Sequence, residues 1–134
     1  MKAMVFAAGM GTRLRPLTDH LPKALVPVAG ITLLERVIRK LAQAGFDDIT
    51  LNIHHRGQQI IDFLEARQRF GLNIHISDER NRLMDTGGGI RHARPWLDGD
   101  EPFLVHNADI LTDADLGDLW HRHMESGAEA TLLV

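Results

Sequence analysis

The 134-residue chain contains no cysteine. A disulfide framework and a thiolate metal site are therefore excluded, and the redox compartment is left open. It has no long apolar run either. The N-terminus passes from Met1 and Lys2 into a short apolar stretch ending at Ala8, too brief to span a bilayer and without the layout of a secretion signal. Neither membrane insertion nor export is expected, and a cytoplasmic location is. Positive charge is not in surplus: 15 Lys and Arg face 18 Asp and Glu, a formal net charge of −3. Nucleic-acid binding, which calls for a continuous basic face, is not expected. The cations are unevenly spread, however, with seven Lys or Arg against two acids in residues 1–40 and eight against sixteen in the rest. That gathering near one loop suits a small anionic ligand.

With 44% hydrophobic and 25% charged residues, residues 1–134 read as one globular domain that buries roughly two-thirds of its unfolded surface. Strands are expected at Ala3 to Ala7, Ile49 to Ile53, Ile74 to Ser77 and Phe103 to His106, with a last one starting near Ala130. Helices are expected between them. Leu33 to Ala44 places Leu34, Val37, Ile38 and Leu41 on one face, with Thr32 and Glu35 spaced as a capping box and Gly45 as the stop. Further helices are read at Gly57 to Phe70, Gly87 to Leu97 and Asp113 to Ser126, with Asp113 as the expected cap and Leu116, Leu119 and Trp120 facing inward. Strands alternating with helices imply an α/β fold, a mainly parallel sheet with helices on both faces, whose ligands bind beyond the carboxyl ends of the strands. The loops after each strand are therefore the informative segments.

After the first strand comes Ala7-Ala8-Gly9-Met10-Gly11-Thr12-Arg13-Leu14-Arg15-Pro16-Leu17-Thr18, then Pro22-Lys23-Ala24-Leu25-Val26-Pro27-Val28. A dinucleotide fingerprint fails, because its third glycine position is Leu14 and Pro16 blocks a helix; a P-loop fails because no Gly-Lys-Ser/Thr follows. What remains is an open loop in which Gly9 and Gly11 let backbone N–H groups approach an anion while Arg13, Arg15 and Lys23 supply positive charge. Arginine forks and a lysine point charge on one loop suit a triphosphate; an ordinary surface loop with solvated cations is the alternative.

Taken together, Gly-x-Gly-Thr-Arg-x-x-Pro-x-Thr and Pro-Lys-x-Leu-Val-Pro-Val resemble the signature of the sugar nucleotidyltransferases, which include mannose-1-phosphate guanylyltransferases and N-acetylmuramate-1-phosphate uridylyltransferases. The resemblance implies a Rossmann-like three-layer sandwich of the nucleotide-diphospho-sugar transferase type. It implies that Ala8, Gly9, Gly11, Thr12 and Arg13 hold the nucleotide, that Arg13 stabilises the leaving pyrophosphate, and that Lys23 sits between the α-phosphate and the incoming sugar phosphate.

Two histidines, His54 and His55, follow the second strand, and by the resemblance His54 approaches the base; a pair of half-exposed surface histidines is the plainer reading. Neither this pair nor His121 with His123 has the spacing of a zinc site. Asp85-Thr86-Gly87-Gly88-Gly89-Ile90 resembles the segment that contacts base and sugar, with Thr86, Gly87 and Gly88 as the nucleotide contacts. Three glycines opening a helix cost about 1 kcal/mol each relative to alanine, so something must approach the backbone: a stacked base, or a closely packed neighbour. Asn107-Ala108-Asp109 closes the fourth strand, where the Asp109 carboxylate is expected to hold Mg²⁺. The family commonly has glycine where Ala108 stands, and the extra methyl is expected to leave less room for the ligand.

The implied reaction transfers a nucleoside monophosphate from a triphosphate, UTP or GTP, to a sugar 1-phosphate with release of pyrophosphate. Arg13, Lys23 and Asp109 are the expected catalytic residues. Family members are longer, so the chain reads as the nucleotide-binding half of a truncated fold, the half that forms the sugar site being absent. An active enzyme, completed by a partner or by self-association through the exposed ends of the interrupted sheet, and a nucleotide-binding module without turnover both remain open.

Overall fold

The computed structural model describes all 134 residues. Strands β1 (Lys2–Phe6), β4 (Asp48–Ile53), β5 (Asn73–Asp78) and β6 (Phe103–Asn107) form one parallel sheet in the order β5-β4-β1-β6. Helices α1 (Leu33–Gln43), α2 (Gly57–Ala66), α3 (Asp85–His92), α4 (Arg94–Leu97) and α5 (Leu116–Ser126) join and follow them. The period-two pattern of β1 sorts the layers. Ala3 and Val5 face the larger core with Leu34, Val37, Ile38 and Leu41 of α1, Ile60 and Leu64 of α2, and Leu116 of α5. Met4 faces a smaller core with Ala93 and Leu97, flanked by Phe6, Ile90 and Trp96. Each buried Val, Leu, Ile or Met side chain among them contributes about 1.5–3 kcal/mol, so the central strand is held from both faces, as a three-layer α/β sandwich requires. No helix is long and apolar enough to cross a membrane.

Half of the expected capping box forms at α1. Thr32 Oγ1 accepts from the Glu35 N–H at 3.2 Å, but the Glu35 carboxylate turns outward to Arg39 and Arg67 instead of back to Thr32. The second helix stops at Ala66, short of Phe70, because Gln68, Arg69 and Phe70 adopt left-handed conformations that bring the chain round into β5. Those costly conformations are offset where Arg69 pairs with Glu65 and the Ile74 carbonyl and Phe70 packs on Phe63. Residues 87–97 divide into α3 and α4 because Pro95 has no N–H to continue the ladder. Asp115, not Asp113, caps α5, accepting from the Asp118 N–H at 2.9 Å.

A short hairpin of β2 (Pro27–Val28) and β3 (Ile31–Thr32) turns at Ala29 and Gly30, both left-handed, and was not expected. The strand expected from Ala130 does not form. Residues 129–134 pair with no strand, line a cleft together with β6, and make a single side-chain hydrogen bond, Thr131 with His123. A strand without a ladder leaves its backbone groups to water, and Leu132, Leu133 and Val134 are exposed.

Candidate nucleotide site

The chain runs outward from β1 to β4 and β5, then returns to the other side of β1 to form β6. Strand order therefore reverses between β1 and β6, the crevice where parallel sheets receive ligands. Register puts Phe6 opposite both Asn52 and Asn107, and Asn52 opposite Ser77, so residues 7–8, 54–55, 79–80 and 108–109 leave the sheet at one edge.

Ala7 and Ala8 remain buried, after which Gly9 and Met10 emerge to solvent. Gly11 takes φ +67°, and its carbonyl accepts from the Leu14 N–H at 3.0 Å and the Thr18 hydroxyl at 2.6 Å. A Cβ there would lie 2.8 Å from Thr18 Cγ2 and 3.2 Å from Lys23 Cβ. Gly11 is thus required for the turn that draws the loop against Lys23, whereas a Cβ on Gly9 would meet nothing within 4 Å. Thr12 and Arg13 lie exposed on a 3-10 turn, and the Arg13 guanidinium makes no hydrogen bond or ion pair. Arg15, by contrast, faces Asp19 at 3.9 Å.

Across the crevice Lys23, at the start of a second 3-10 turn, forms an ion pair with Asp109, which follows β6. Both side chains are about a third exposed, 29% and 35%. Ala108 does not narrow the site as expected: its N–H donates to the Phe6 carbonyl at 3.0 Å and its methyl belongs to the large apolar core. No group of three or more His, Asp or Glu side chains converges anywhere. A lone carboxylate at the crevice matches the donor set of Mg²⁺, which binds through one or two carboxylates and completes its shell with phosphate oxygens and water.

His54 is fixed by its Nδ1, 2.7 Å from the Glu79 carbonyl oxygen. A carbonyl only accepts, so Nδ1 carries the proton and Nε2 of the neutral ring is an acceptor. Thr86 and Gly87 are exposed in the first turn of α3 and Gly88 is half-buried. The first and last glycines of the run differ. A Cβ on Gly89 would come within 3.0 Å of Glu79 Oε1 and 3.2 Å of Phe6 Cε1, whereas one on Gly87 would meet nothing within 4 Å. Close packing accounts for Gly89 and leaves Gly87 open to a ligand. A cleft of about 700 Å³ borders Thr86, Phe6 and Asn107, and a more open one of about 970 Å³ borders Asp85, Gly88 and Arg91. The phosphate loop and Lys23 line neither.

Two buried residues at this edge, Asn52 and Glu79, were not anticipated. Asn52 Oδ1 accepts from the Ala7 and Ala8 N–H groups at 2.8 and 3.3 Å, so the Ala8 N–H already has a partner. The available signal was a polar residue inside the apolar run Ile49 to Ile53, next to where the strand ends.

Residues 2–134 match the family described as nucleotidyl transferase. The N-acetylmuramate alpha-1-phosphate uridylyltransferase of Neisseria meningitidis serogroup B is 49% identical over 86% of this chain and 49% of its own length. The mannose-1-phosphate guanyltransferase of Gibberella zeae is 39% identical over all of this chain and 37% of its own length. Among solved structures, HddC from Yersinia pseudotuberculosis, complexed with GMP-PN, superposes with a TM-score of 0.81 at 25% identity over 92% of this chain and 54% of that one. The UTP-bound UGPase from Acinetobacter baumannii, with a TM-score of 0.74 at 23% identity over 95% of this chain and 53% of that one, shares the fold. The chain belongs to the nucleotidyl transferase family. It spans about half the length, or less, of the curated relatives it matches.

Proposed function

We propose that this chain is the nucleotide-binding part of an enzyme that transfers a nucleoside monophosphate from UTP or GTP to a sugar 1-phosphate and releases pyrophosphate. The observation that carries the reading is the meeting of Lys23 and Asp109 across the sheet's switch point, beside the Gly9–Arg13 loop. Residues 1–134 are the nucleotide-binding domain, and the part that completes the sugar site lies outside them. By this reading the protein works in the cytoplasm, where nucleoside triphosphates are at hand.

An oxygen of the sugar 1-phosphate forms a bond to the α-phosphorus, and the bond from that phosphorus to the β-phosphate oxygen breaks. The attacking group is already an anion, so no general base is required; the protein's task is to hold two anions together and neutralise the leaving one. Backbone N–H groups from Gly9 to Thr12 receive the phosphates, and the unpaired Arg13 fork follows the charge that builds on pyrophosphate. Lys23 stands between the α-phosphate and the sugar phosphate. Asp109 would hold Mg²⁺, which supplies neutralising charge to the phosphates when bound. The His54 Nε2 acceptor suits the imide N–H of uracil or the N1–H of guanine alike, and Gly87 leaves room for a base to stack beside Thr86 and Gly88.

A second reading, nucleotide binding without turnover, draws on the two clefts, which border Thr86 and Gly88 but neither Lys23 nor Asp109. Calorimetric titration with UTP, GTP, CTP and ATP in the presence of Mg²⁺, followed by a pyrophosphate-release assay with sugar 1-phosphates, separates the two. Selective binding with release supports the enzyme, selective binding alone supports the module, and no binding rejects both.

A further inference from the structure

Three of the loops that leave the carboxyl edge of the sheet are fastened to one another by two buried side chains that the transfer chemistry does not use. Asn52 is 2% exposed and Glu79 is 1% exposed. The Asn52 side chain spends its oxygen on the N–H groups of Ala7 and Ala8 and its Nδ2 on Glu79 Oε1, at 3.0 Å. The other Glu79 oxygen accepts from the Met84 N–H at 3.1 Å, immediately before α3. The Glu79 backbone joins in, its N–H donating to the Ile53 carbonyl at 2.8 Å and its carbonyl accepting from His54. One connected set of hydrogen bonds therefore runs from the root of the phosphate loop through Asn52 and Glu79 to the start of the glycine-rich helix, with a branch to His54.

Donor and acceptor parity makes this set demanding. Once the Asn52 oxygen faces two N–H groups, its amide nitrogen faces Glu79, and Met84 presents another N–H to the same carboxyl group. Position 79 must accept on both atoms, which a carboxylate does and an isosteric amide does not. The carboxylate has little space to turn, because the Gly89 backbone lies close enough that a Cβ would sit 3.0 Å from Glu79 Oε1 and 3.3 Å from Asn52 Nδ2. In a buried polar set each member's geometry is fixed by the others.

We propose that Asn52 and Glu79 are positioning residues that hold the phosphate loop and the start of α3 at a set separation, so that one nucleotide is gripped at its phosphates and its base together. The inference rests on the nucleotide reading above. Its test is Glu79→Gln, with affinities for UTP and GTP compared with those for inorganic tripolyphosphate, which engages the phosphate loop alone. Nucleotide affinity is expected to fall about tenfold or more while tripolyphosphate affinity stays within about twofold, because what is lost is the coupling of two loops. Equal changes in both affinities, or none, overturn the proposal, since a merely structural contact would not alter their ratio. Circular dichroism confirms that the variant is folded at the assay temperature; if it is not, Glu79→Asp, which keeps two acceptors on a shorter stem, carries the same comparison. Amide exchange supplies a readout that needs no ligand. The Ala7, Ala8 and Met84 amides are expected to lose protection together in Glu79→Gln, and loss at Met84 alone refutes the coupling. Should the unaltered chain bind neither nucleotide nor tripolyphosphate, the nucleotide reading fails, and amide exchange alone then judges the link between the loops.

Discussion

Lys23 and Asp109 are 86 positions apart in sequence, and what each would do for a phosphate depends on the other. Their ion pair keeps a cation and a carboxylate in the crevice at little net gain in stability, because both are partly solvated. Lys23→Ala is expected to lower turnover on the order of a thousandfold, about 4 kcal/mol of barrier, in a pyrophosphate-release assay. A loss below about tenfold would contradict its assigned place between the two phosphates. Asp109→Ala is expected to abolish the Mg²⁺ dependence of UTP or GTP affinity, and calorimetry with and without the ion decides it. A different residue pair gives a pH signature. Hydrogen bonding to the Arg80 guanidinium holds the Asp78 carboxyl below the ordinary carboxylate range. A carboxylate whose folded value is depressed adds stability that is complete above its unfolded value, about 4, and is lost as the pH falls through the lowered folded value. NMR titration should therefore find Asp78 ionising below that ordinary value, and Arg80→Ala should move it up toward that value, the residue-80 N–H bond to the carboxylate remaining; an unmoved midpoint would show that the guanidinium exerts no pull. That Lys23 and Asp109 reach the crevice was legible in sequence, because one sits in a long motif and the other follows a strand. Asn52 and Glu79 were not, because the partners that give them meaning are backbone groups brought near only by the fold.

At the scale of elements, α3 shows why one glycine run needs two explanations. Gly87 and Gly89 are two positions apart and so lie on nearly opposite sides of the helix, one facing open space and the other Phe6 and Glu79. Gly87→Ala should raise stability by up to about 1 kcal/mol, the usual helix gain, while weakening nucleotide binding if the base stacks there. Gly89→Ala should lower stability, because the new methyl meets a carboxylate oxygen at 3.0 Å in a site that cannot relax freely. Urea unfolding of the two variants distinguishes these signs, and a stabilised Gly89→Ala would show that the packing account is wrong. Periodicity found the helices here but not their ends. Pro95 broke the third, and the left-handed turn at Gln68 to Phe70 ended the second at Ala66. Such ends depend on how the chain must turn into the next strand, information that lies in the sheet and not in the helical segment. The α1 cap was readable because Thr32 bonds a group three residues away, whereas the choice between Asp113 and Asp115 at α5 turned on one local hydrogen bond.

At the scale of the molecule, the parallel sheet ends differently on its two sides. The β5 side is polar, with Asn73, His75 and Asp78 in the strand and the Arg69 guanidinium bonded to the Ile74 carbonyl. Beside β6 no further strand pairs, Val105 is 43% exposed, and the neighbouring cleft is lined largely by apolar side chains, including Leu132 and Leu133. Unpaired strand edges recruit other strands unless a charge, a proline or a covering element blunts them, and β6 carries neither lysine nor proline between Phe103 and Asn107. Alternation of apolar segments was enough to read the order of strands and helices, but a sheet edge is a property of the assembled order and could only be located once β6 was placed beside β1. The open edge leads us to expect self-association of the chain through β6. Sedimentation velocity at rising concentration should show a dimer, and Val105→Lys, which sets a charge among the apolar side chains beside that edge, should shift it to monomer. Inorganic tripolyphosphate provides the control: Val105 shares its cleft with Thr86 but not with the phosphate loop or Lys23, so the variant should bind tripolyphosphate as the unaltered chain does. A chain that sediments as a monomer at every concentration would mean that residues 129–134, although unpaired, shield the edge well enough to keep a second copy away.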